Sequence, residues 1–449
     1  MHTFDDSMAD LADAVLAFAR ERTERHPIDL GAPKPPDELD ELCGQTITTE
    51  GIGAQAAMRM FADVLEPAAL SVDHQRYLSF IPAAPTEAAV LFDLAVGASS
   101  IYGGSWLEGA GAVWAENQAL AWLVEIAGLP GTAGGVFVAG GTVGNLSAMA
   151  AARDTTAAKR GRRPDRWAFL ASEQTHSSVA SMASIMDADV IAVETDDRFR
   201  MTGEAVAAAL DEHGDRIAAV VTTSGTTNLG IIDDLRGIGE VCRERDVWMH
   251  VDGAYGAAGM ASPTWRPLFD GIELADSYIV DPHKWLFAPF DCCALIYRNP
   301  ENAKRSHQQA AGYLEFLDQW GDWNPSDYAA HLTRRVRGLP FWFSLATHGT
   351  DAYARAIDAT MDVSRYAAEA IRAADHLTLL AEPVLSVVAF ARDGWDGDRY
   401  QAWSLEAMHE GTAFVTPSRF QGDPCYRFCF VNPLTTTDDV DDIIAQLAS

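Results

Sequence analysis

Only four lysines occur in the 449 residues, Lys34, Lys159, Lys284 and Lys304, although the chain carries 33 basic residues. Lys284 stands in D-S-Y-I-V-D-P-H-K-W-L-F-A-P-F-D-C-C, residues 276–293, between His283 and Trp285. Arginine cannot form an imine, whereas an amine in an apolar pocket loses its proton easily and can attack a carbonyl. Lys284 is therefore a candidate Schiff-base lysine, set against the plainer reading of a lysine snorkelling from a strand end. Its apolar neighbours favour the first reading. The other three lysines sit among Pro, Arg and Asn, where the second suffices.

Four other stretches carry residues of the right type to work with such a lysine. G-G-V-F-V-A-G-G-T-V-G-N-L, from Gly134, reads as a strand, a Gly-Gly-Thr turn and an Ala-rich helix, a geometry that offers backbone N–H groups to an anion such as a phosphate. The spacing matches neither the P-loop nor G-x-G-x-x-G, so glycines used only for close packing weigh equally. His176 falls in Q-T-H-S-S-V, Thr223 opens T-S-G-T-T, and Asp252 falls in H-V-D-G-A-Y-G. Each has a bland alternative: His176 or Thr226 as a helix-entry residue, Asp252 as a cap.

The elements that must position these residues alternate. Strand-like runs at Val136–Ala139, Trp167–Ala171, Val190–Val193, Ala218–Thr222, Val247–Val251, Ser277–Val280 and Cys293–Tyr297 are interleaved with helical patterns at Val179–Met186, Gly203–His213 and Leu235–Arg245. That order predicts an α/β fold with a mostly parallel sheet covered on both faces, whose ligands sit beyond the carboxyl ends of the strands. His176, Thr223 and Asp252 all fall at such ends.

Around this body, amphipathic helices at Phe4–Arg25 and Gln55–Leu65, separated by the proline-rich Pro33–Pro36, form an N-terminal arm over residues 1–70 that needs another surface to pack on. The large domain is expected over 71–350. Within it, Tyr77–Pro85 reads as a pocket-lining loop, Ala112–Ile126 as a long helix, and Tyr313–Arg337 as a long mobile loop of the kind that forms a lid. Residues 351–449 read as a smaller α+β domain: helix, strands through Thr378–Arg392 and Tyr426–Asn432, and a last helix from about Thr437.

The formal charge of −31 argues against nonspecific binding to nucleic acid or to an anionic membrane, since both need a basic face. No apolar run approaches spanning length, and the first twenty residues lack a basic start followed by an apolar core, so no membrane span and no secretory signal is expected. The six cysteines show no C-x-x-C spacing, which favours free, packed thiols in a reducing cytoplasm over a metal site.

A lysine imine, an acid at a strand end, a histidine able to stack on a ring and an anion cradle are the parts needed to hold pyridoxal 5′-phosphate, with Asp252 beside the pyridine nitrogen. The motifs S-E-Q-T-H-S-S-V, T-S-G-T-T, H-V-D-G-A-Y, D-P-H-K-W and R-R-V-R-G-L-P-F-W-F closely resemble, in the same order, those of the group II pyridoxal-phosphate decarboxylases, the aromatic-L-amino-acid decarboxylase type. The resemblance implies the aspartate-aminotransferase-like (type I) fold with a seven-stranded large domain, a homodimer with a swapped arm, an active site at the dimer interface, and an amino acid as small-molecule substrate. It implies roles for Lys284 as the imine lysine, Asp252 as the pyridinium partner, His176 as the stacking histidine and Ala254 as the residue under the ring. Thr223 would neighbour the cofactor; Gly141, Thr142, Asp281 and His283 would border the phosphate or substrate. Phe80, Ile81, Tyr102 and Trp106 match pocket-lining positions and imply an aromatic substrate.

Two departures bear on chemistry. Animal and plant members have Asn where Asp281 stands, and a carboxylate beside a phosphate repels it unless bridged or protonated. Those members also carry a loop tyrosine that protonates the substrate carbon after CO2 leaves; the matching position here falls near Pro325, and Tyr328 is the nearest tyrosine. Loss of that tyrosine accompanies aldehyde formation within the family. The expected reaction is thus decarboxylation to an amine, with Tyr328 and His176 supplying the proton, against an aldehyde synthase or related lyase, and against a catalytically silent scaffold that would have no use for Lys284 opposite Asp252.

Overall fold

A computed structural model describes residues 2–309 and 323–448. Seven strands, β1 (Gly134–Val138), β2 (Ala168–Ser172), β3 (Asp189–Val193), β4 (Ile217–Thr223), β5 (Trp248–Asp252), β6 (Ser277–Val280) and β7 (Cys293–Tyr297), form one sheet in the order β1-β7-β6-β5-β4-β2-β3. Neighbours from β3 across to β6 run parallel, while β7 runs antiparallel to both β6 and β1. Every residue of β2, β4, β5, β6 and β7 is buried, which is why these strands read as unbroken apolar runs: helices cover both faces. The edge strand β3 instead alternates between covered and exposed residues.

Register decides where the chemistry lies. Thr223 of β4 pairs with Asp252 of β5, and Asp252 pairs with Ile279 of β6, so the carboxyl ends of three strands finish level with one another. The fold is therefore α/β with a mostly parallel sheet, as the alternation of elements implied.

A second sheet is wholly antiparallel, with β8 (Leu377–Leu379), β9 (Val387–Arg392), β10 (Pro417–Phe420) and β11 (Asp423–Cys429) in the order β10-β11-β9-β8. Helices Thr350–Ala373, Gly397–His409 and Thr437–Gln446 pack on it around Tyr400, Trp403, Tyr426 and Phe428. The Gly397–His409 helix was not expected, because its opening W-D-G-D-R reads as a turn; Asp396 in fact caps it by accepting from the Arg399 amide. Residues 77–80, expected with the large domain, hydrogen-bond to the small one: the Leu78 amide donates to the Phe414 carbonyl, and the Cys429 amide donates to the Leu78 carbonyl.

The arm holds helices Asp6–Glu24, Pro36–Cys43 and Ala54–Met60, the last continued by a wider turn over Phe61–Leu65. Pro27 follows the end of the first helix, and the proline run starts the second, with Pro36 in a first-turn position where its missing N–H costs nothing. None of the residues in these helices is buried. Phe4, Leu16, Leu42, Ile47, Phe61 and Leu65 are exposed, as are Leu91 and Leu94 of the helix Glu87–Ser99 and Trp114 of Trp106–Ile126. The Glu87–Ser99 helix escaped notice because it is apolar nearly all round and so shows no periodicity.

Residues 313–322 of the expected lid lie outside the described residues. The remainder, 323–337, is packed down instead of standing as a lid. Arg334 forms a doubly hydrogen-bonded pair with Glu116, 2.7 Å at each contact, with both side chains buried, and the Gly338 amide donates to the same carboxylate. Asn324 Oδ1 accepts from the Trp106 amide at 2.9 Å. Buried, charge-assisted contacts of this kind fix a backbone that sequence composition alone marks as loop. Among the described residues, no helix is long and apolar enough to cross a membrane.

Candidate functional site

Beyond the carboxyl ends of β4, β5 and β6 lies a cavity of about 310 Å³. Its lining includes Gly141, Thr142, Asn145, His176, Thr223, Asp252, Ala254, Asp281, His283 and Lys284, together with Ile81, Tyr255, Phe290 and Asp291. All nine residues expected to hold a cofactor thus meet in one place. A larger cavity, about 410 Å³, lies under the arm beside Phe287 and carries none of these groups.

Lys284 is placed by proline. Pro282 ends β6 and opens a single helical turn, Pro282–Trp285, which swings the lysine back over Asp281 so that Lys284 Nζ lies 3.0 Å from Asp281 Oδ2. Burial would lower the Lys284 ammonium, but the Asp281 carboxylate, with help from Asp252, outweighs it and holds the group above its ordinary value. The expectation that an apolar pocket frees this amine of its proton is therefore corrected: the pocket is apolar on one side only, and a paired acid faces the amine. Asp281 in turn is held below the usual carboxylate range, burial opposing and the Lys284 and His283 charges prevailing. His283 Nδ1 accepts the Cys292 amide at 3.0 Å, which leaves its proton on Nε2, 3.6 Å from Asp281 Oδ2. Asp281 thus enters the site as the counter-ion of the lysine.

Asp252, the last residue of β5, is buried and accepts twice: from the Ala254 amide at 3.1 Å and from Asn145 Nδ2 at 2.9 Å. The first contact is the turn-capping role of the bland reading; the second, from the helix behind the glycine turn, was not foreseen. His176 Nδ1 accepts the Ser178 amide at 3.1 Å, at the first turn of the helix Ser178–Ile185, so it too enters a helix while facing the cavity. Thr226 serves the loop alone, accepting the Ile231 amide.

The cradle and its unanswered atoms bear on what the cavity fits. The helix Gly141–Arg160 starts at the glycine turn, and its first N–H groups have no partners within the helix. A Cβ on Gly141 would come within 3.2 Å of Asp281 Oδ2 and 3.3 Å of Ala254 Cβ, so glycine keeps the backbone open there. Among the described residues, Thr223 Oγ1 and Asp281 Oδ1 are buried and have no hydrogen-bond partner. A helix N-terminus, a buried free hydroxyl, a strand-end carboxylate and a paired lysine form a donor set that fits a phosphorylated pyridine aldehyde.

The expected substrate and proton-donor residues divide differently. Ile81 lines the cavity; Phe80, 56% exposed, does not. Tyr102 and Trp106 are placed elsewhere, Tyr102 by donating to the Leu332 carbonyl and Trp106 by its Asn324 contact. Tyr328 is only 2% exposed, stacks on Trp323 with ring centroids 4.1 Å apart, and belongs to the core beneath β1 and the helix Gly141–Arg160. It is not part of the cavity wall of its own chain, because apolar packing draws it into that core. The residues that sequence reasoning missed are Asn145, Ser178, Tyr255, Phe290 and Asp291. Asn145 alone left a signal: an amide in an otherwise alanine-rich helix, one turn after the glycines.

Comparison with known proteins gives a concordant picture. The model of the pyridoxal-dependent decarboxylase conserved domain matches residues 36–392. The chain is 28% identical over 391 residues to an aromatic-L-amino-acid decarboxylase of Bacillus atrophaeus, covering 84% of this chain and 81% of that one. It is 30% identical over 435 residues to an L-2,4-diaminobutyrate decarboxylase of Rhizobium meliloti, covering 91% and 83%. It is 27% identical over 369 residues to a 4-hydroxyphenylacetaldehyde synthase of Rhodiola rosea, covering 78% and 74%. Among solved structures, Oryza sativa TDC with PLP and tryptamine superposes with a TM-score of 0.88 over 98% of this chain and 96% of that one, at 22% identity, a likeness of fold.

Proposed function

The chain belongs to the pyridoxal-dependent decarboxylase family, a carboxy-lyase with pyridoxal 5′-phosphate as cofactor, and from that premise we propose that it decarboxylates an aromatic L-amino acid to the amine, as a homodimer. The observation that carries this reading is the meeting of Lys284, Asp252 and His176 with the glycine turn in one cavity. When bound, the cofactor supplies the electron sink for the bond to the departing carboxylate. The chain's own residues do the rest. Lys284 is the anchoring amine and Asp281 holds its proton at Nζ. Asp252, an acceptor at both oxygens, would keep a proton on the ring nitrogen. Gly141 and Thr142 would hold the phosphate at the start of their helix, and Thr223 would offer its unused hydroxyl. His176 brings a ring with its proton on Nε2 to the cavity, and Ile81 and Phe290 exclude water.

The aromatic preference rests on Ile81 and Phe290, and on Phe80, Tyr102 and Trp106 completing the wall where two copies meet. The exposed apolar residues of the arm and of the helices 87–99 and 106–126 support that assembly, since one chain leaves them uncovered. A second reading, a cationic substrate such as 2,4-diaminobutyrate, is favoured by one observation: Asp291 adds a third carboxylate to a lining whose only lysine is Lys284. Incubating the holoenzyme with the proteinogenic amino acids, dopa and 2,4-diaminobutyrate, and assaying CO2, amine, aldehyde and peroxide, separates the readings. Amine from aromatic substrates is the expected result. Release of CO2 from the diamino acid alone selects the second reading, and aldehyde with peroxide selects oxidative deamination. Sedimentation should show a dimer; an active monomer rules out the shared wall.

A further inference from the structure

Behind the cavity wall runs a buried chain of polar side chains that the chemistry above does not use. Trp248 Nε1 lies 2.9 Å from Ser277 Oγ, and Ser277 Oγ lies 2.8 Å from His250 Nδ1. His250 Nε2 lies 2.9 Å from Asn145 Oδ1. Asn145 Nδ2 then donates to two groups, Asp252 Oδ2 at 2.9 Å and Ser178 Oγ at 3.1 Å, and Ser178 Oγ lies 2.9 Å from His176 Nδ1. Trp248, Ser277, His250, Asn145, Ser178 and Asp252 are all buried.

The direction of the hydrogen bonds in this network is set from its carboxylate end. The Asp252 carboxylate only accepts, so Asn145 turns Nδ2 to it and must accept the His250 Nε2 hydrogen at Oδ1; at the other end an indole nitrogen only donates, so Ser277 Oγ accepts from Trp248 and gives its own hydrogen to the remaining acceptor, His250 Nδ1. His250 Nδ1 is therefore a bare acceptor, its hydrogen sits on Nε2, and Asn145 Oδ1 accepts it. Burial, opposed by the Asp252 charge, pushes His250 down to about 4, so it stays neutral at ordinary pH and carries this single hydrogen. At the other end, the Ser178 amide donates to His176 Nδ1, which makes that nitrogen an acceptor too. Ser178 Oγ must then give its hydrogen to His176 Nδ1 and use a lone pair for Asn145. The amide of Asn145 fits only one way round: reversed, it would set its oxygen against the Asp252 carboxylate and its NH2 against the His250 N–H. A buried network with no conflict is rigid, and breaking one member strands the others.

We propose that Asn145 is a positioning residue for the two groups that would face a bound pyridine ring, holding Asp252 directly through Oδ2 and His176 indirectly, by aiming the Ser178 hydroxyl at the His176 Nδ1 that the Ser178 amide already makes an acceptor. The proposal rests on the decarboxylase reading for its purpose but not for its test, which begins with cofactor-free protein. His176 turns its Nε2–H away from the network because the Ser178 amide and hydroxyl both meet Nδ1, and Asp252 is held by the same Asn145 amide that steers that hydroxyl. The side chain thus couples the β5 carboxylate to the loop after β2 through the helix of the glycine turn.

The experiment uses protein labelled with 15N in histidine, the His176 signals being assigned by their absence in His176→Gln. In the wild type, His176 Nδ1 should resonate as a bare nitrogen and Nε2 as an N–H nitrogen. In Asn145→Ala the Nδ1 signal should shift as the Ser178 hydroxyl loses the Asn145 donor, with the tautomer kept because the Ser178 amide still donates to Nδ1, and the affinity for added pyridoxal 5′-phosphate should fall roughly 10-fold to 100-fold, the scale of removing a partner behind a metal ligand. A wild-type His176 with mixed tautomers, or an Asn145→Ala protein unchanged in both signals and affinity, overturns the proposal. If Asn145→Ala does not fold, Ser178→Ala decides, because it cuts the link to His176 and spares the link to Asp252. The His176 signals should then shift while cofactor affinity stays within about twofold of the wild type; unshifted signals overturn the proposal. Failure of the decarboxylase reading shows separately, as wild-type protein that binds no pyridoxal 5′-phosphate.

Discussion

Asp252 and Asp281 are two buried carboxylates in one cavity, and their surroundings differ. Asp252 has both oxygens answered, by Ala254 and Asn145, and neither partner can take up a charge. Asp281 shares one oxygen with Lys284 and His283 and leaves the other without a partner among the described residues. An answered carboxylate surrounded by neutral donors stays where it is whatever binds. One whose partner is the reacting amine is set to change partners when that amine is consumed. The difference teaches that the Asp252 wall of the cavity is satisfied by neutral donors of the chain itself, whereas the Asp281 wall is held by a charged amine and keeps one carboxylate oxygen without a hydrogen bond among the described residues.

If that contrast is right, the largest effect comes from the residue between the walls. Lys284→Ala should abolish turnover and the visible absorbance of the bound cofactor while the far-ultraviolet circular dichroism stays native; residual turnover would move the anchoring amine elsewhere. Asp252→Asn comes next, lowering kcat by at least roughly 100-fold, on the scale of a group that governs a proton in the reaction. Near-normal kcat would reduce Asp252 to its capping contact with Ala254.

Asp281→Asn probes the second wall through pH. Lys284 now stands above its ordinary value because the acid outweighs burial. With the acid removed, burial prevails and the amine falls below that value, so a larger share is unprotonated at any pH beneath it. Stopped-flow loading of pyridoxal 5′-phosphate onto cofactor-free protein should then reach its half-maximal rate at a lower pH than in the wild type. An unshifted or raised midpoint would mean that Asp281 does not govern the lysine.

Smaller changes belong to the aromatic side. Phe80→Ala should raise KM about 10-fold with kcat little altered, as expected for losing part of the burial of one aromatic side chain. An unchanged KM would take Phe80 out of the substrate wall. Tyr328→Phe should alter the ratio of amine to aldehyde by less than about twofold, since the ring is stacked on Trp323 in the core. A large rise in aldehyde would bring Tyr328 back as the proton donor.

Several features were legible before any coordinates. The strands β6 and β7 and the helix Gly203–His213 fall where their patterns placed them, since a fully buried strand is mostly apolar and an amphipathic helix repeats its apolar residues every third or fourth position. That Lys284, Asp252 and the glycine turn stand at strand ends was also legible, because a lysine after a strand-ending proline, an acid at a strand end and a glycine turn are local arrangements with local causes. The sequence by itself determined which chemistry the chain can carry and the strand ends that carry it. Only the tertiary structure decided which of those groups are satisfied. Asn145 reaches Asp252 from 107 residues away and His250 from 105, and Arg334 reaches Glu116 from 218, so no local pattern records these contacts. It also decided that Tyr328 lies in the core and Lys284 lies against an acid. A side chain's period fixes the face it takes, but its protonation and reach depend on what the folded chain brings opposite it, and that is set by packing between elements far apart in sequence.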